Sequence, residues 1–225
     1  MEMQDLLNFL TQVRYNNNRE WFHQNKSWYD ECQAKFNAIA EKILFEVGKF
    51  DESVRHLQLK DCIYRFYRDV RFSKDKSPYK THFGIYICPG GKKSWEAGYY
   101  FHIEPRWEDG TGGSGLFNGC FMPDKDMLQM IREDIFNDGD NYRKVIKKTK
   151  GFTLDTSNAL KTRPKGMPES EYDDLLRLKS FLLNKPVDED YLLADDLVEN
   201  VVKDMKECYP FVKMLNQAIS FSGNY

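Results

Sequence analysis

No hydrophobic run in this 225-residue chain approaches the roughly 18 residues needed to cross a bilayer, so no membrane span is expected. Cysteine is sparse: Cys32, Cys62, Cys88, Cys120 and Cys208 are scattered, odd in number and without C-x-x-C spacing. That excludes a zinc ribbon or a disulfide framework and predicts buried thiols in a reducing compartment. A strong charge of one sign is also missing. The 33 Lys and Arg face 35 Asp and Glu, a net charge of −2, which speaks against a protein that coats nucleic acid. The opening Met1-Glu2-Met3-Gln4-Asp5 is acidic where a secretory leader is basic, and a cytoplasmic location is the expectation. There is no G-x-S-x-G elbow, no phosphate loop ending in G-K-[ST], no helical H-E-x-x-H and no internal repeat.

Aromatic residues are plentiful: 16 Phe, 13 Tyr and 4 Trp, 15% of the chain, predict a core rich in rings. Apolar spacing predicts a helix over Asp5–Val13 and a long one from Trp21 to Val47, ended by Gly48. Four strands are expected over Cys62–Phe72, His82–Cys88, Gly98–Glu104 and Leu116–Met122. Helices follow over Asp124–Phe136, Asn141–Lys150, Ser170–Leu183, Asp195–Glu207 and Pro210–Phe221. Strands joined by short loops favour antiparallel pairing. The expectation is an α+β fold: one domain over residues 1–225, with an antiparallel sheet of about four or more strands flanked by N-terminal and C-terminal helices.

Charge is unevenly placed. Residues 60–93 carry nine Lys or Arg against three Asp, and residues 169–200 carry ten acids against three bases. The acidic helices either dock on the basic region or leave it to face a separate anion. The basic stretch centres on Arg65-Phe-Tyr-Arg68-Asp69-Val-Arg71-Phe72-Ser-Lys74-Asp75-Lys76-Ser-Pro78-Tyr79-Lys80. Guanidinium forks bind phosphate or carboxylate with paired hydrogen bonds. The candidate ligand-binding set is Arg65, Arg68, Asp69, Arg71, Lys76, Tyr79 and Lys80. Asp69 either orients an arginine or acts as a base, the single catalytic candidate. On a regular strand Arg68 falls on an apolar face and needs a partner.

These residues fill the pattern R-x-x-R-D-x-R-F-x-x-[DN]-K-x-x-Y, which is similar to the hallmark of the bacterial conserved hypothetical family called domain of unknown function 2461. Asn17-Asn18-Arg19-Glu20-Trp21-Phe22, Gly98-Tyr99-Tyr100, the Gly112-Gly113 loop and Leu178-Lys179-Ser180-Phe181 also resemble that family. The resemblance spans nearly the whole chain, although the Gly-rich loop here is longer and more interrupted. It implies no particular activity, but it singles out the same basic segment.

Other features carry less. His102 and Glu104 share a face of one strand, and His82 opens its neighbour. A two-His, one-carboxylate metal site competes there with histidines satisfied by hydrogen bonds, and no metal is expected. Gly110–Gly115 reads as a mobile loop. Cys62 and Cys88 flank the basic region but read as structural thiols. The functional expectation is binding of a phosphate-bearing small molecule or nucleotide, with or without a reaction and with no cofactor specified. Its competitors are a non-catalytic module for nucleic acid or an acidic protein, and an internal Arg–Asp network with function elsewhere.

Overall fold

Apolar residues on every second position build the sheet. In the computed structural model, which describes residues 2–220, β1 spans Phe83–Ile87, β2 Gly98–Ile103 and β3 Ser114–Cys120. β4 spans Thr153–Leu154 and β5 Phe181–Val187. The order is β1-β2-β3-β5-β4 and every pairing is antiparallel. Phe83, Ile85, Ile87, Tyr99, Phe101, Ile103 and Leu116 point to one face and are buried there. The α+β expectation holds.

Helices cover that face. α1 (Met3–Tyr15) buries Leu6, Phe9, Leu10 and Val13, and Glu2 and Asp5 form a reciprocal cap at its start. The long helix expected from Trp21 divides at Asn25 into α2 (Arg19–Gln24) and α3 (Lys26–Phe50). The Asn25 side-chain amide donates to the Trp21 carbonyl at 2.8 Å and so competes with helix continuation. Gly48 does not end α3. It lies against Arg55, whose Nε donates to the Gly48 carbonyl at 3.1 Å, while the helix runs on to Phe50. A 3₁₀ turn (Glu52–Val54) and α4 (Leu59–Cys62) lead to the basic segment.

α5 (Lys125–Lys148) joins the two helices expected there across a break at Asp138. The short α6 (Asp173–Leu176) and α7 (Glu189–Leu193) precede α8 (Leu197–Glu207) and α9 (Tyr209–Ser220). The predicted end of the last helix at Phe221 lies outside the described residues. α8 and α9 pack on β3, and α3 and α4 on β1.

Two expectations are corrected. Ser170–Leu183 is not one helix: α6 lasts a single turn, and Phe181–Val187 is the strand paired with β3. The apolar run Leu175 to Leu183 suits either element, and the open flank of β3 selects strand. Cys62–Phe72 is not a sheet strand. It makes single bridges, Ile63 to Ile85 and Tyr67 to Tyr79, and then folds back on itself. Arg68 N–H donates to the Pro78 carbonyl at 2.9 Å and Lys80 N–H to that of Phe66 at 3.0 Å. The polar groups of the segment are satisfied within its own loop rather than by a neighbouring strand.

Candidate functional site

The other face of the sheet carries rings where a solvated sheet would carry charges. Tyr86, Tyr100, Phe117 and Asn184 form one row across β1, β2, β3 and β5, and His102 stands in the next. Glycines let this face pack closely. Gly84 and Gly115 flank His102 on the two neighbouring strands, and Gly98 pairs with Gly119. A Cβ at Gly84 would run into the Tyr100 ring, and one at Gly119 into the Phe181 carbonyl. Above the rings lies a cavity of about 820 Å³, with Gly112, Gly113 and Gly119 in its wall. Trp95 and Phe121, 50% and 61% exposed, line it with Tyr64. Exposed rings on a cavity are unusual and suit stacking on a planar ligand. Asn184 also lines the cavity, while its Oδ1 is buried and without a hydrogen-bond partner among the described residues.

Beside the cavity lies a cleft of about 550 Å³ lined by Arg14, Arg68, Tyr79, Lys80, Thr81 and His82. His82 lines both spaces. Here the two stretches that resemble the family meet. The Asn17 side chain pairs with the Tyr79 backbone in both directions: Nδ2 donates to the carbonyl and Oδ1 accepts from the N–H, each at 3.0 Å. Asn18 caps α2 by accepting from Trp21 N–H at 2.9 Å. The Phe22 ring then stacks on Tyr79 at 3.9 Å between centroids.

The basic segment divides in two. In its loop the charges are paired: Arg68 with Asp75 and the Ser77 carbonyl, Arg71 with Asp69 at 2.7 Å, and Lys76 with the Val70 carbonyl at 3.0 Å. Phe72 is 96% exposed, so the segment has no continuous apolar face beneath Arg68, whose partner is Asp75. Hydrogen bonds from Arg71 hold the Asp69 carboxyl down to about 2, which leaves it a weak base at neutral pH. Arg65 is exposed, and Lys80 is half-buried over the Tyr64 ring at 5.1 Å. Neither has a carboxylate partner among the described residues. Burial lowers the Lys80 pKa, with Arg65 adding to the effect. Among the described residues the acidic stretch makes no ion pair with this region: Asp173 pairs with Arg163, and Glu171 and Asp174 with Arg143.

His82, His102 and Glu104 come together as the strand spacing allows, with one donor atom from each inside a 4.8 Å span. The Tyr100 hydroxyl lies 3.0 Å from His102 Nδ1, and His102 Nε2 lies 3.3 Å from Glu104 Oε2. The Thr81 hydroxyl donates to Glu104 Oε1. Burial pushes His82 down to about 4, so it is neutral at pH 7. His82 itself makes no hydrogen bond to a described residue.

Burial raises all five thiols to about 12, which rules them out as nucleophiles. The Gly-rich loop is closed by backbone bonds: Trp107 N–H to the Thr111 carbonyl at 2.9 Å and Gly113 N–H to that of Pro105 at 3.2 Å. It is pinned by Arg14, which pairs with Asp109 and stacks on Trp107. Sequence reasoning passed over Tyr64, Tyr86, Trp95, Tyr100, Phe117, Phe121 and Asn184. The available signal was alternation in which both faces of β1 and β2 carry large rings, the pattern of a sheet covered or hollowed on both sides.

No curated protein and no solved structure matches the chain. A family model, conserved hypothetical protein (DUF2461), matches residues 5–214, and the chain belongs to that family.

Proposed function

We propose that the protein binds a phosphate-bearing small molecule of nucleotide type. Its planar part lies in the cavity over the sheet, and its anionic part lies in the cleft beside Lys80. One observation carries this reading: an aromatic-walled cavity and a cationic cleft share His82, and the cleft holds a half-buried ammonium with no carboxylate partner among the described residues. Bringing an anion to such a group restores the stabilisation that burial removed. Arg68, held by Asp75, is preorganised at the cleft wall. For the loop half of the segment, Arg71 with Asp69 and Lys76 with Val70, the pairs favour a structural role.

Calorimetric titration with mono-, di- and triphosphate nucleotides tests this. Binding by one of them should weaken tenfold or more in Lys80→Ala and in Arg68→Ala, and by less than twofold in Arg71→Ala. Failure of every nucleotide to bind would reject the reading. A salt dependence as steep as that of polyanion binding, with affinity growing with oligonucleotide length, would transfer it to a nucleic-acid module.

A further inference from the structure

The basic cleft and the aromatic walls leave one cluster unused. His82, His102 and Glu104 meet where cavity and cleft join. His102 comes from β2, Glu104 from the residue after it and His82 from the residue before β1. We propose that these three side chains hold a first-row divalent transition metal, of the Zn²⁺ or Fe²⁺ class, with its remaining coordination positions open to the cavity. The donor set is two imidazoles and one carboxylate, which suits those ions over Mg²⁺ or Ca²⁺ and matches three-ligand sites that keep a position for water or substrate.

Geometry supports it at three levels. Ligand atoms around an ion at about 2.1 Å lie about 3 to 3.5 Å apart. His102 Nε2 and Glu104 Oε2 stand at 3.3 Å, and His82 comes within the same 4.8 Å span, so a small side-chain rotation completes the set. Next, the ligands are held from behind. Tyr100 meets the far nitrogen of His102 at 3.0 Å, and Thr81 donates to the far oxygen of Glu104. Such outer partners fix ring and carboxylate orientation. A hydrogen-bonded His102–Glu104 pair explains those two residues alone, but it leaves His82 facing the cavity with no partner among the described residues. Finally, His82, His102 and Glu104 all line the cavity, so an ion held between them has that space for its open positions. The metal site does not depend on the nucleotide reading, because no phosphate enters these contacts.

The test loads the full chain, stripped with chelator, with Zn²⁺ alone and with Co²⁺ alone, and measures bound metal after desalting. The expected result is one ion per chain, with ring protons of two histidines paramagnetically shifted in the Co²⁺ form. His82→Asn and Glu104→Gln should each weaken Zn²⁺ at least tenfold. Tyr100→Phe, which touches no metal, should weaken it by a smaller factor. Lys80→Ala, which removes a positive charge beside His82, should not weaken it. Less than stoichiometric metal in the wild type, or shifted protons from no histidine, would overturn the proposal without need of any variant. Equal Zn²⁺ affinity in a folded His82→Asn, His102→Asn double variant would do the same. Either outcome leaves the nucleotide titration to be judged separately.

Discussion

Two asparagines do structural work that only an amide can do. Asn17 closes both hydrogen bonds to the Tyr79 backbone, and Asn216 does the same to Ala97, at 2.8 and 2.9 Å. A primary amide presents a donor and an acceptor side by side, so it completes a backbone edge as a strand would. Removing the Asn17 amide leaves a part-buried N–H and C=O unpaired. Asn17→Ala should therefore lower stability by about 1–3 kcal/mol in chemical denaturation. Asn17→Asp, which keeps the acceptor and loses the donor, should fall between. The motif containing Asn17 was visible in the sequence as a likeness to the family; its partner 62 residues away was not, because local patterns carry no distance information. His82 was legible as a companion of His102 and Glu104: alternation placed two of the three on one face and the third at the start of the neighbouring strand, and strand register brings them together.

At the scale of elements, periodic segments were legible and ambiguous ones were not. β1, β2, β3, α1, α8 and α9 follow their apolar spacing closely. Cys62–Phe72 was misread as strand because aromatic and branched residues dominate it, while its bonds from Phe66 onward run within its own loop. The start of β5, Phe181–Leu183, was misread as the end of a helix because its leucines fit both periods. Its placement shows in a buried arginine. Arg132 in α5 donates to the Leu176 carbonyl at 2.8 Å and the Leu178 carbonyl at 2.9 Å, where α6 ends and the chain turns into β5. Burial lowers its pKa, and no carboxylate pairs with it among the described residues. Arg132→Ala orphans both carbonyls and should destabilise by about 2–4 kcal/mol in urea melts. Arg132→Lys, with one compact ammonium for two carbonyls, should recover part of that loss. Pro186 in β5 is tolerated because β4 pairs only with Leu183 and Asn184, so the strand is an edge at that point.

For the molecule as a whole, the buried cysteines report on folding. All five thiols are raised from 9.0 to about 12 by desolvation. A raised folded-state pKa gives stability that is complete below the unfolded value and is lost as pH climbs toward the folded one. Stability should thus decline between about pH 9 and about pH 12, as unfolded thiols ionise and folded ones do not. A set of five Cys→Ser or Cys→Ala replacements should flatten that decline. In the native protein at neutral pH no thiol should react rapidly with a disulfide reagent, and denaturant should release all five. The overall plan, an antiparallel sheet with helices from both ends of the chain, was legible because core residues outnumber exceptions. The cavity on the second face was not, because its walls, Tyr64, Trp95, Tyr100, Phe117 and Phe121, come from separate strands and loops, and no local sequence pattern marks them as neighbours.

The central claim is that this hollowed face receives a planar, phosphate-bearing ligand. Thermal unfolding of the wild type and of Trp95→Ala, Phe121→Ala, against nucleotides and inorganic phosphate, tests it most directly. Both rings are exposed, so the double variant keeps its core. The account predicts that one nucleotide class raises the wild-type melting temperature well beyond inorganic phosphate, and that the double variant loses most of that rise. No rise with any nucleotide, or an equal rise in both proteins, would contradict it.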